Sequence, residues 1–311
     1  MKLEEYIKEL RDPRRPLTVS KLTRLSGLPP DQMTVFATAW PALPVERRRK
    51  IVRELNELAE DNVELDFEAV FRQALSDSDA QVRVKAVEGL WESANRHLID
   101  PLINLLENDP VEEVRVAAAT ALGRYAVMGE MGELRPADLK KVEETLLGVF
   151  ENQAEGIEVR RRALESVGVL EGERERAAIE TAYHHADRKL RVSAVYAMGR
   201  NCDERWLSCL LKELRSEDAE MRFEAAGACG ELEDRRAVPS LLPLIADQDI
   251  DVRLSAIGAL GRIGGKKAIQ VLRLCLDHSD ERVRDAASTA LEEAEFGHDP
   301  LGFDLDLDLE F

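Results

Sequence analysis

The chain has 311 residues, enough for two ordinary domains or one elongated array, and is 44% hydrophobic but only 5% aromatic. A core this lean in aromatics must be assembled from Ala, Leu, Val and Ile, as closely packed helices are. Lys and Arg number 43 against 61 Asp and Glu, a net charge of −18 that disfavours nucleic acid and anionic membranes and favours solubility or basic partners.

The charge is unevenly placed. Residues 1–50 carry +5, residues 292–311 carry −8, and the stretch between them carries −15. No apolar run reaches the length of a membrane span, and "MKLEEYIKEL" has acids where a signal peptide needs an apolar segment, so a cytoplasmic location is expected.

Residues 17–42, "LTVSKLTRLSGLPPDQMTVFATAWPA", predict two short helices with a turn at Gly27-Leu28-Pro29. This loosely resembles a helix-turn-helix. The helix placed to read DNA, Pro30 to Trp40, has no Lys or Arg and one acid, Asp31, whereas base edges and phosphates call for polar or basic side chains. A helical cap over residues 1–42 is the favoured reading, with DNA association as an alternative. The cluster Arg47, Arg48, Arg49 and Lys50, followed by Arg53, is a candidate surface for an acidic partner; a solvated helix face is the commoner use of such a run.

From there one phrase recurs. Its anchors are Arg83, Arg115, Arg160, Arg191, Arg222, Arg253 and Arg284, with a divergent copy at Arg48. Apart from gaps of 32 and 45 residues at the start, the spacing is a constant 31. Three residues after each of the seven anchors stands an Ala, from Ala86 to Ala287, and seven after it an apolar residue. Offsets −1, +3 and +7 share one stripe of a helix, which predicts a buried face. Gly123, Gly168, Gly199, Gly230 and Gly261, at offset +8, suit a helix end with φ > 0. Asp79, Asp187, Asp218, Asp249 and Asp280, at offset −4, are placed to cap the helix and to pair with the Arg. An apolar segment such as "IDPLINLLEN" follows each phrase. Each unit is then two antiparallel helices that cannot bury their faces alone and must stack, giving an all-α array over residues 43–293.

Two departures stand out. The gap between Arg115 and Arg160 is 14 residues above the common 31, predicting a longer loop or an extended second helix in "GRYAVMGEMGELRPADLKK". Trp91 replaces the glycine of its unit and is expected to fill core. Among the cysteines, Cys202, Cys209, Cys229 and Cys275 lack paired metal or redox spacing, and Cys229 and Cys275 are expected to be buried free thiols.

The last stretch, "FDLDLDLEF" (303–311), alternates apolar and acidic residues with period two, a strand pattern in an otherwise helical chain. A lone charged strand is unstable, so residues 294–311 are expected to form a flexible tail. Phe303, Leu305, Leu307, Leu309 and Phe311 are candidate docking side chains; a tail that serves only solubility is the alternative.

The recurring Asp-x-x-Val-Arg and Ala-Leu-Gly, clearest from Asp249 to Gly261, resemble HEAT repeats, in particular the short HEAT-like repeats of the phycobilisome lyase type. The resemblance implies an α-solenoid, a right-handed superhelix of antiparallel helix pairs in seven to eight repeats, whose second helices line a concave surface that holds partners. Seven recurring Arg positions, five of them with an Asp four residues before, describe a structural ladder, because catalytic groups converge instead of repeating. Deoxyhypusine hydroxylase shares this architecture but depends on repeated His-Glu pairs for iron, and none of His97, His184, His185, His278 and His298 is followed by Glu. A bilin lyase-like enzyme or enzyme subunit stays an alternative without lyase-specific residues to carry it. The expected function is a non-catalytic protein scaffold or adaptor with no metal and no cofactor. Its partner is another protein, of basic character on charge grounds, and the tail offers a route to self-association.

Overall fold

All seven Arg-anchored phrases, and the divergent copy at Arg48, fold as helices. A computed structural model describes residues 3–12 and 14–298, the side chains of 296–298 excepted, and none of the described residues lies in a strand. The chain forms two units, residues 1–167 and 168–311.

The first unit begins with α1 (Leu3–Arg11), α2 (Val19–Leu22) and α3 (Pro30–Ala39). They enclose Tyr6, Leu10, Leu22, Leu25, Phe36 and Trp40, all at most 2% exposed. Gly27 takes φ 58° at the predicted turn. Four helix pairs or part-pairs follow: α4 (Val45–Asp61) and α5 (Glu68–Ala74), α6 (Ala80–Glu88) and α7 (Ile99–Asn108), α8 (Glu112–Glu130) and α9 (Pro136–Glu151), then α10 (Ile157–Val167). The surplus between Arg115 and Arg160 lengthens both helices of its pair, α8 to 19 residues and α9 to 16, instead of forming a long loop. Tyr125 on the α8 extension is buried and donates its hydroxyl to the Asn95 carbonyl at 3.0 Å, which ties the added turns to the preceding repeat.

The second unit contains α11 (Glu173–Tyr183) and α12 (Arg188–Asn201), α13 (Leu207–Glu213) and α14 (Ala219–Leu232), α15 (Val238–Leu241) and α16 (Ile250–Ile263), and α17 (Lys266–Cys275) and α18 (Glu281–His298). In each unit the anchored helices pack face to face in a row, α4–α6–α8–α10 and α12–α14–α16–α18, while the apolar helices lie behind them. This is α-solenoid packing. It is the anchored helices, not the apolar segments that follow them, that crowd most closely against one another.

The spacing of that row comes from small residues. Every +3 alanine (Ala86, Ala118, Ala163, Ala194, Ala225, Ala256 and Ala287) is 0% exposed. The +8 glycines correct the expectation drawn from sequence. Gly199, Gly230 and Gly261 lie inside their helices, and none has positive φ. Instead each meets the +6 alanine of the next anchored helix. A Cβ built on them would lie 2.7, 2.9 and 2.7 Å from the Cα of Ala228, Ala259 and Ala290. The left-handed residue at the helix end comes three positions later, at Cys202 (φ 53°), Glu233 (φ 51°) and Gly264 (φ 64°).

The anchoring arginines also depart from expectation. Asp79, Asp187, Asp218, Asp249 and Asp280 do cap their helices, accepting N–H bonds from the first turn. They do not pair with the Arg four residues on. A helical side chain leans toward the N-terminus, so the guanidinium passes beyond the cap. Arg83, Arg115, Arg191, Arg222 and Arg284 each donate Nη1 to the carbonyl six residues back, at 2.8–2.9 Å. Where the next inter-helix turn carries an acid, Nε and Nη2 then clasp it: Arg83 holds Asp109 at 2.7 and 2.8 Å, Arg115 holds Glu155, and Arg222 holds Asp247 at 2.8 Å twice. Asp77, Asp109 and Asp247 also accept a backbone N–H two residues on, so one carboxylate both shapes a turn and receives the previous repeat's arginine. Arg253 breaks the series. The next turn has His278 where Asp247 stands one repeat earlier, and Arg253 Nε is buried without a hydrogen-bond partner.

Gly258 of the same helix has open space at its Cβ position. Gly258→Ala is therefore expected to stabilise by about 0.5–1 kcal/mol through helix propensity, whereas Gly261→Ala, against Ala290, should destabilise by about 1–3 kcal/mol through overpacking. Denaturant melts of the two variants check this, and equal effects would contradict the close-contact account.

The Arg222 hydrogen bonds hold the Asp247 carboxyl below its usual range. A depressed folded-state pKa contributes stability that is present above the unfolded value of about 3.9 and is lost as pH falls through the folded value. Asp247→Asn is expected to cost about 1–3 kcal/mol at pH 7. Its deficit against the parent chain should narrow below about pH 4, as read by urea melts across pH. His278→Asp supplies the missing carboxylate for Arg253 and should raise stability by about 1 kcal/mol in the same assay.

Candidate functional site

Burying offsets −1, +3 and +7 leaves offsets −2, +1, +2, +5 and +9 of each anchored helix facing outward. In the first unit this exposed face is hollowed into two adjoining grooves. One, of about 980 Å³, is lined by Arg49, Lys50 and Arg53 of α4, by Ala80, Gln81, Val84, Lys85 and Glu88 of α6, and by Val111 and Glu113. The other, of about 1040 Å³, has Val84, Val87, Val116, Ala117 and Ala121 as apolar lining, with Glu60, Glu88, Glu112, Glu113 and Glu158 as its acids and Arg124 and Arg162 as its bases. Trp91 also lines it, 59% exposed.

Trp91 is thus not core filler. The first clear unit ends its anchored helix early, at Glu88, and residues 89–92 form a turn. Trp91 stands beyond the point where +8 glycines touch the next helix. Gly89, just after α6, lies instead against the preceding repeat, where a Cβ would fall 2.5 Å from the Phe71 ring. Trp40 and Trp206 are 2% and 6% exposed, so Trp91 alone among the tryptophans presents its indole to solvent.

The basic cluster is divided by the structure. Arg48 is buried, donating to the Leu43 carbonyl at 2.6 Å and pairing with Asp77, which also accepts Trp40 Nε1–H at 2.6 Å and so joins the N-terminal helices to the ladder. Arg47 donates Nη2 to the carbonyls of Asp12 and Arg15 at 3.0 and 2.6 Å. Arg49 grips Asp79 through Nε and Nη2, at 2.9 and 2.6 Å. Lys50 is exposed on the groove wall. Phe303, Leu305, Leu307, Leu309 and Phe311 lie outside the described residues. Sequence reasoning passed over the Trp91 groove because a tryptophan at a periodic helix position reads as core; the early stop of α6, the signal against that reading, is a matter of tertiary packing.

The second unit carries the same outward face on its anchored helices. Tyr196 and Phe223, at offsets +5 and +1, are 40% and 39% exposed there.

Cys229 and Cys275 are buried free thiols, as the pattern predicts, and burial pushes the Cys229 thiol up to about 12. His185 Nδ1 accepts the Asp187 N–H at 2.9 Å while the His184 ring packs on Tyr183, so the two neighbours are directed to separate tasks. Among the described residues no group of three or more His, Cys, Asp or Glu side chains is placed to hold a metal ion, and no helix is long and apolar enough to cross a membrane.

A family model for HEAT repeats matches residues 68–148 and 207–292, more than half of the chain. No curated protein matches the sequence. Among solved structures, the complex of CpcE and CpcF of phycocyanin lyase from Nostoc sp. PCC7120 is 16% identical over 91% of this chain and 97% of that one, with a TM-score of 0.53. Importin beta is also 16% identical, over 89% of this chain and 44% of its own, with a TM-score of 0.52. Human deoxyhypusine hydroxylase is 20% identical over 94% and 99%, with a TM-score of 0.38. At these identities the likeness is one of fold. The repeat phrase, the stacked anchored helices and the matched family model agree: the chain belongs to the HEAT-repeat family.

Proposed function

We propose that this chain is a non-catalytic scaffold that holds a protein partner on the exposed face of its anchored helices, in the Trp91 groove of the first unit. The observation that carries the reading is Trp91 itself, a large side chain 59% exposed over an apolar floor and ringed by charge. Interface anchors are enriched in tryptophan, because one indole buries a large apolar area at little conformational cost. The family's architecture, a regular stack of helix pairs, supports a repeat-based interaction role. The repeated Asp and Arg side chains are consumed by caps and clasps that hold the stack, which leaves them structural. The tail, with Phe303, Leu305, Leu307, Leu309 and Phe311, is proposed as a second docking element, on the strength of its alternating pattern alone.

The test is affinity capture with the full chain, followed by quantitative comparison of bound proteins. Trp91→Ala should lose its main partner by about 30-fold, the equivalent of a 2 kcal/mol hot spot, with an unchanged thermal melt. Val63→Ala, at a residue 90% exposed and outside the groove, should retain it. Equal recovery with the parent chain and Trp91→Ala would refute the groove as the partner site. A chain ending at Glu295 tests the tail separately: unchanged recovery and unchanged sedimentation would reduce it to a solubiliser.

A further inference from the structure

The Trp91 groove has a charge imbalance that names the chemistry of what it takes. Five glutamates line it against two arginines. The arginines are already committed: Arg162 Nη1 donates to Glu165 at 2.6 Å, and Arg124 Nε donates to the Ser93 carbonyl at 3.2 Å. Of the glutamates, Glu88 is satisfied by Lys85 and Glu158 by Arg161. Glu60, Glu112 and Glu113 form no ion pair among the described residues. The groove therefore offers carboxylates outside any close ion pair, an indole face and an apolar floor of Val84, Val87, Val116, Ala117 and Ala121, all within one hollow.

Resting on the scaffold reading, we infer that the occupant of this groove is a cationic amphipathic segment of a partner protein. Its apolar side chains would lie on the valines and alanines, and its Lys or Arg side chains would reach Glu60, Glu112 and Glu113. One cation is placed to stack on the Trp91 indole, whose π face attracts cations more strongly than that of any other aromatic side chain. An acidic segment meets the same three carboxylates and is repelled, and the net charge of −18 steers cationic chains in from a distance. Nucleic acid is disfavoured on the same ground, since five glutamates outnumber two arginines in this hollow.

Trp91 is the exposed tryptophan, so its emission reports occupancy directly. The experiment titrates the full chain with a 16-residue amphipathic helix of Leu and Lys, and with its Leu and Glu counterpart. The Lys peptide should shift or quench the emission, with affinity about tenfold weaker at 300 mM than at 50 mM salt, and the Glu peptide should do neither. Glu112→Gln/Glu113→Gln should weaken the Lys peptide about tenfold. Glu107→Gln/Glu133→Gln, an equal loss of charge at exposed sites outside the groove, should leave it within twofold. Equal losses in both double variants would mean attraction to bulk charge and would overturn the inference, as would binding seen by calorimetry without a change in Trp91 emission. If neither peptide binds while partner capture still depends on Trp91, the cationic chemistry is wrong and the scaffold reading stands. If capture is indifferent to Trp91, the scaffold reading falls on its own evidence.

Discussion

The contact between a glycine of one anchored helix and an alanine of the next governs this structure. Gly199 on Ala228, Gly230 on Ala259 and Gly261 on Ala290 bring backbones together with no room for another carbon. Such an approach gives up side-chain burial at the seam and replaces it with dense backbone contact, which is why the core can do with so few aromatics. It also fixes the rotation of each helix. In both units the buried +3 and +7 stripe turns the remaining offsets to solvent, and in the first unit those offsets line the grooves.

Close backbones leave buried arginines that need partners. A guanidinium at 8% exposure, as at Arg83, carries a desolvation cost that only strong hydrogen bonds offset. The solution is a chain of carboxylates in the inter-helix turns, each received by the arginine of the preceding repeat. Asp77 shows how far one such group can be shared. It shapes its own turn, neutralises Arg48 and accepts the Trp40 indole N–H, so the N-terminal helices close the first repeat through the same ladder that runs beyond it. Stability and exposed surface are thereby largely separated: the carboxylates that receive the ladder arginines are not the glutamates that line the Trp91 groove. Glu60, Glu112 and Glu113 take no part in holding the stack, and that freedom leaves them available to a partner.

The repeat register was plain in the sequence because each phrase copies the same local physics. A capping Asp, an apolar stripe and a small residue at a crossing are each decided within one helix and its nearest neighbour, and 31-residue spacing multiplies that signal. From these positions the all-α class, the helix starts and the burial of Ala225 or Cys229 could be read directly. The roles of the +8 glycines and of the anchoring arginines could not. A glycine near a helix end satisfies either a left-handed cap or a close contact, and only the length of α12, α14 and α16 decides between them. An arginine four residues after an aspartate fits an intrahelical pair equally well, until the neighbouring turn offers a better carboxylate.

Trp91 marks the same boundary at the candidate site. Its sequence position, offset +8 of a regular unit, argued for burial. Just beyond the end of α6, Gly89 lies against Phe71 and Asn56, residues 18 and 33 positions away in the chain. The composition and the periodic pattern determined which family of folds this chain adopts and which faces are buried, since those depend on contacts that recur. The groove, its free glutamates and its exposed indole were decided by tertiary structure, since they arise where one repeat departs from the rest and side chains distant in sequence divide the available partners among themselves.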